Sequence, residues 1–161
     1  MVIQIIAFAV VLVIVFYFLR QESRKEGKYF GKKVAPNRKE RKIFEKYREE
    51  YEPIGSDVRL AKLENDKWEL EDIAKSATEV IYDSPIPTKS QKQNLKTGDL
   101  VKLKFLIDEG GEVGIERIWV EVTGEKDGLF SGELDNQAFN DILKPGQLIW
   151  FHPNHVFEIG K

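Results

Sequence analysis

A chain of 161 residues carrying 25 basic and 27 acidic side chains has a formal net charge of −2. That balance excludes a nucleic-acid binder working through a large global positive charge. There is no cysteine, which excludes disulfide scaffolds, thiolate nucleophiles and cysteine-ligated metal centres. Two histidines and one methionine leave little material for other metal work.

The first element is apolar. Residues 2–19, VIQIIAFAVVLVIVFYFL, contain no charge and only Gln4 and Tyr17 as polar breaks. A helix of that length spans roughly 27 Å, close to the hydrocarbon thickness of a bilayer. A cleaved signal peptide is the competing reading, but no Lys or Arg precedes the run and Arg20 follows it directly. Residues 1–19 are therefore expected to be a retained transmembrane anchor. From residue 20 to 48 there are 12 Lys/Arg against 4 Asp/Glu, a net of +8, whereas 13 against 23 from residue 49 onward give −10. Positive charge resists translocation, so the expected protein is single-pass in the inner or plasma membrane, its soluble part facing the cytoplasm. The basic stretch at 20–37 reads as a juxtamembrane linker that can also lie against anionic headgroups.

Residues 38–94 read as a helical segment and a loop. Asn37 is placed to cap a helix running to Tyr51, with Ile43, Phe44, Tyr47 and Tyr51 in one apolar stripe. Pro53 and Gly55 end it. A short strand is expected at 57–63 and a helix at 68–82, the latter from the helical spacing of Leu70, Ile73, Ala74, Ala77, Val80 and Ile81. On that helix, the acidic residues 69, 71 and 72 would form a solvated face. Residues 84–94, with two prolines and no apolar period, read as a loop.

Residues 95–161 read as β. Val101, Leu103, Phe105 and Ile107 alternate with Lys102, Lys104 and Leu106, the pattern of a half-buried strand. A second strand, 115–123, puts Ile118, Val120 and Val122 on one face. Asp127-Gly128 is a hairpin turn leading into LFSGEL, and Lys144-Pro145-Gly146-Gln147 fits a type II turn. LIWF (148–151) and VFEI (156–159) are short closing strands. The expected fold is α+β: an N-terminal transmembrane helix, one or two amphipathic helices, then a small antiparallel β-barrel or curled sheet of about five strands.

Chemistry-bearing residues are few. Arg117 and Trp119, two apart on the second strand, share a face with Glu121 and could present an aromatic stacking surface beside a charged fork. The bland alternative is that Trp119 packs against the rest of the domain. His152-Pro-Asn-His155 could chelate a metal only with a third ligand, and Pro153 makes it a turn, which favours His155 bonded to backbone. No glycine-rich phosphate loop precedes a helix, and no spacing of Ser, Thr and His marks a nucleophile. No catalytic residue, metal ligand or cofactor is assigned.

The runs Gly98-Asp99-Leu-Val-Lys-Leu, Glu116-Arg117-Ile-Trp119-Val120-Glu121-Val122, Gly132-x-Leu134-Asp135-Asn136, Leu143-Lys-Pro-Gly146 and His155-Val-x-x-Ile159 resemble the YegJ-like bacterial family, a domain of unknown function. The resemblance covers roughly residues 95–159, with Ile118 where Met is common. It implies a compact β-rich domain and carries over no catalytic residue. Motif membership adds Asn136 to the ligand-binding candidates Arg117, Trp119 and Glu121. The expected function is that of a membrane-anchored, cytoplasmic, non-catalytic binding protein. Its partners are the membrane and another protein rather than nucleic acid, with no oligomeric state implied. Two rivals stand beside it: an immunity or stress-response protein neutralising a partner through its acidic domain, and a hydrolase-type enzyme using His152 and His155.

Overall fold

The computed structural model describes residues 36–82 and 84–160. The expected anchor at 1–19 and most of the basic linker lie outside them; among the described residues no helix is long and apolar enough to cross a membrane. Residues 36–79 and 85–161 make one compact unit, and 80–84 belong to another.

Helix α1 (Arg38–Glu50) begins where Asn37 accepts hydrogen bonds from the backbone of Lys39 and Glu40, while Glu40 reaches back to the Asn37 N–H at 2.7 Å. This capping box satisfies donors that a helix start leaves open. Of the apolar stripe Phe44 is buried, Tyr47 and Tyr51 are partly buried, and Ile43 is half-exposed.

The next segment corrects two expectations. Residues 57–63 form no strand: Asp57 accepts from the backbone N–H and the guanidinium of Arg59, closing a turn that leaves Val58 fully exposed. A short helix, α2 (Leu63–Asp66), ends at Lys67, whose φ of 65° reverses the chain. Residues 68–82 are not one helix. Trp68–Leu70 is a strand, β1, and only Ile73–Ser76 is helical, as α3. Tertiary pairing overrides the helical spacing, because the Trp68–Leu70 backbone ladders onto Ile107–Phe105. The stretch expected as a loop likewise holds a helix, α4 (Lys89–Gln93), started by a Thr88–Gln91 capping box.

The β region follows its alternation. Strands β2 (Leu100–Asp108), β3 (Val113–Lys126), β4 (Leu129–Leu134), β5 (Leu148–Phe151) and β6 (Val156–Ile159) join β1 in one antiparallel sheet. β1 and β6 share one edge of β2, pairing with residues 105–107 and 101–103 respectively, so the strands fill five positions in a curled half-barrel. Between β5 and β6 a single 3-10 turn, Pro153–His155, carries the chain back towards β2. The concave side is packed by Val101, Leu103, Phe105, Ile107, Ile118, Val120, Phe130, Ile149 and Phe151. Asp127 and Gly128 both have positive φ, and so does Gly146, as the two turns require.

Gly132 is fixed by contact rather than by dihedral. A Cβ built there would stand 2.5 Å from the Glu121 carbonyl oxygen and 2.5 Å from Val120 Cγ1. Both obstacles belong to the centre of the sheet and cannot swing aside. Gly132→Ala is expected to cost about 2–3 kcal/mol, the upper range for overpacking, read as a lowered urea midpoint at unchanged m-value.

Candidate functional site

Two places gather chemistry-bearing side chains, the convex face of β2, β3 and β6 and a cleft near the 3-10 turn. On the convex face Lys102 stands opposite Trp119 and Lys104 opposite Arg117. The Lys102 Nζ lies 4.2 Å from the Trp119 ring centroid and also pairs with Glu158. Phe157 is bracketed by the Lys104 Nζ and the Arg117 Cζ, each 4.9 Å from its ring centroid. This face is not uniformly solvent-exposed, as strand alternation implied. Lys104 is only 1% exposed and its ammonium meets Glu71 Oε2 at 3.2 Å. Burial pushes that ammonium below the usual lysine range despite the opposing pull of Glu71.

The acidic cluster at 69, 71 and 72 is accordingly not a solvated helix face. Glu69 lies on β1. Glu71 pairs with Lys104 and accepts from Ser76 Oγ, while Asp72 caps α3 and accepts from the Tyr51 hydroxyl at 3.0 Å.

The four predicted ligand residues fall in one neighbourhood with different duties. Trp119 is half-buried, with a Gly160 Cβ position only 3.6 Å from its ring. Glu121 is exposed, opposite the partly exposed Leu100. Arg117 is half-buried against Phe157. Asn136 extends the sheet: its side-chain oxygen accepts the Trp119 N–H at 3.0 Å, and the Asp135 N–H donates to the Trp119 carbonyl at 2.9 Å. The Leu-Asp-Asn run thus continues the ladder past the last β4 pair, Leu134 with Val120. Glu116 works the same way from inside the motif. Its carboxylate accepts the Phe139 N–H and the Asn140 amide, and the Asn140 oxygen in turn holds the N–H groups of Ile142 and Leu143. Sequence reasoning passed over Glu116; its sign was a carboxylate on the face otherwise given to Ile118, Val120 and Val122.

The cleft, of about 80 Å³, is bordered by the end of α1, by α4 and by the 3-10 turn. His152 lines it, whereas His155 borders a separate recess with Glu69, Glu71 and Asp72, so the two do not converge on one point. His155 Nδ1 accepts the His152 backbone N–H at 3.0 Å, and His152 Nδ1 accepts the Asn154 N–H at 3.1 Å. The rings meet edge to face, 6.4 Å between centroids. Each histidine therefore spends one ring nitrogen on backbone, which the proline-containing spacing suggested for His155 alone. Burial lowers both, His155 to about 3. Among the described residues no group of three or more His, Asp or Glu side chains is arranged to hold a metal ion.

Lys92, in the last turn of α4, carries a charge that nothing in the local sequence singles out. It is 4% exposed and borders the cleft, and burial lowers its ammonium to about 8 against an upward pull from Asp72. No family model, curated protein or solved structure matches this chain.

Proposed function

We propose that this chain is a membrane-anchored protein that works by binding another protein, without chemistry of its own, through the convex face of β3. The anchor reading rests on the uncharged run at 2–19 and its +8 flank, which sets the soluble domain on the cytoplasmic side. One observation carries the binding reading. Trp119, half-open to solvent, sits between the Lys102 ammonium and the exposed Glu121 and Leu100, in a backbone frame that Asn136 locks. A rigid aromatic with an apolar neighbour and charges of both signs at its rim suits a protein partner. Trp119 and Glu121 are the contact residues; Arg117 and Asn136 position them. Kinship with the YegJ-like domain belongs to the same proposal. Its motif residues Glu116, Gly132 and Asn136 are each spent on building this frame rather than on chemistry.

The test is crosslinked capture of the full-length protein from membranes, comparing wild type with Trp119→Ala and with Glu121→Arg. Both variants are expected to lose the same partner while unfolding at close to the wild-type temperature. If both retain the full partner set with the fold intact, this face is not the contact surface.

A further inference from the structure

Among the described residues the Lys92 side chain is a buried cation with no direct partner. It forms no hydrogen bond or ion pair with any described residue, and no described buried side-chain nitrogen is both sealed from solvent and unbonded. Its nitrogen therefore opens onto the cleft that Lys92 lines. The carboxylates nearby are already engaged. Asp72 gives one oxygen to the Tyr51 hydroxyl and the other to the Lys75 N–H. Glu52 pairs with Lys89 at 2.8 Å and Glu50 with Lys46 at 3.7 Å. His152 lines the same cleft, and with Nδ1 accepting from Asn154 its neutral ring carries the proton on Nε2. The cleft thus combines a largely buried lysine with no acceptor among the described residues, a histidine side chain and room for only a few non-hydrogen atoms.

We propose that this cleft binds a carboxylate group, seated between the Lys92 ammonium and the His152 Nε2–H. A single negative charge matches the one cleft-lining cation that has no contact among the described residues, and a planar group of two oxygens can take both donors at once. The carboxylate can belong to a small free acid or to the chain end of a peptide. The site is separate from the β3 face, so either can fail without the other.

The probe is acetate, read as the thermal midpoint of the full-length protein in detergent against sodium chloride at matched ionic strength. Acetate is expected to raise the midpoint of the wild type, with half-saturation on the order of millimolar, as befits so small a ligand. The rise should vanish in Lys92→Met, which removes a buried charge and so keeps the fold. Tetra-alanine with a free C-terminal carboxylate, set against the same peptide amidated, separates the two sources. A response to acetate but not to the free peptide assigns a small acid. A response to the free but not the amidated peptide assigns a chain end. An equal rise with chloride, or the same acetate response in Lys92→Met, overturns the proposal.

Discussion

Replacing Lys104 by alanine is expected to destabilise the domain by about 3–5 kcal/mol, whereas the same change at Lys102, two residues away on the same strand face, should cost about 1 kcal/mol or less. The difference comes from burial. The Lys104 side chain is 1% exposed and its Glu71 partner 22% exposed, so loss of either charge strands the other in a poorly solvated place. Glu71 is also tied to β2 through its own N–H, which donates to the Lys104 carbonyl at 3.0 Å, and its second carboxylate oxygen takes the Ser76 hydroxyl. Lys102, by contrast, holds a half-exposed Glu158 and keeps its ammonium over the Trp119 ring at the surface. Urea denaturation of Lys104→Ala, Glu71→Ala and Lys102→Ala checks the ordering. A double variant, Lys104→Met with Glu71→Leu, should recover most of the loss, because two well-packed apolar side chains avoid the desolvation that the ion pair must offset. Equal effects at Lys102 and Lys104 would mean that the pair is not sealed in the sheet.

That contrast also marks where the sequence stops being legible. Alternation correctly gave every strand from β2 to β6, because Val101, Leu103, Phe105 and Ile107 need one buried face and the two turns carry Gly128 and Gly146 at positive φ. Alternation says nothing about what covers the other face, and so Lys104 looked like its neighbour Lys102. The helix expected over 68–82 failed for a related reason. Its apolar spacing fits a helix locally, but Trp68–Leu70 gains more by laddering onto a preformed β2 edge and packing the Trp68 ring 5.5 Å from Phe105. Capping residues, by contrast, are local, and Asn37 announced its helix from sequence alone; the equivalent Thr88–Gln91 pair was overshadowed by the prolines before it. The convex-face residues were legible as a group, since a period of two puts Arg117, Trp119 and Glu121 on one side. The cleft was not, because Lys92, His152 and Tyr51 come from three distant segments.

Acid should unfold this domain in a window set largely by His155. The side chain is 6% exposed, and its Nδ1 lone pair accepts the His152 N–H. Protonation there places a hydrogen against a donor and a charge in the interior. Burial is the main cause of the fall to about 3, and the nearby charges of His152 and Lys92 act in the same direction. Glu69, Glu71 and Asp72 line the same recess as His155, yet they do not reverse the shift. An unfolded histidine titrates near 6.5, so between about 6.5 and 3 the unfolded chain binds the additional proton. Stability is then fully present above about 6.5, declines as pH falls through that window, and stops declining on this account below about 3. At about 1.36 kcal/mol per unit, the loss attributable to this one group is on the order of 5 kcal/mol at the acid end. His155→Asn separates this contribution from that of the carboxylates. Its side-chain oxygen can take the His152 N–H but binds no proton in this range, so the variant's stability should fall less steeply from pH 7 to 4. Urea midpoints measured at half-unit intervals decide the matter: parallel slopes for wild type and variant would show that His155 is not the group that acid must charge.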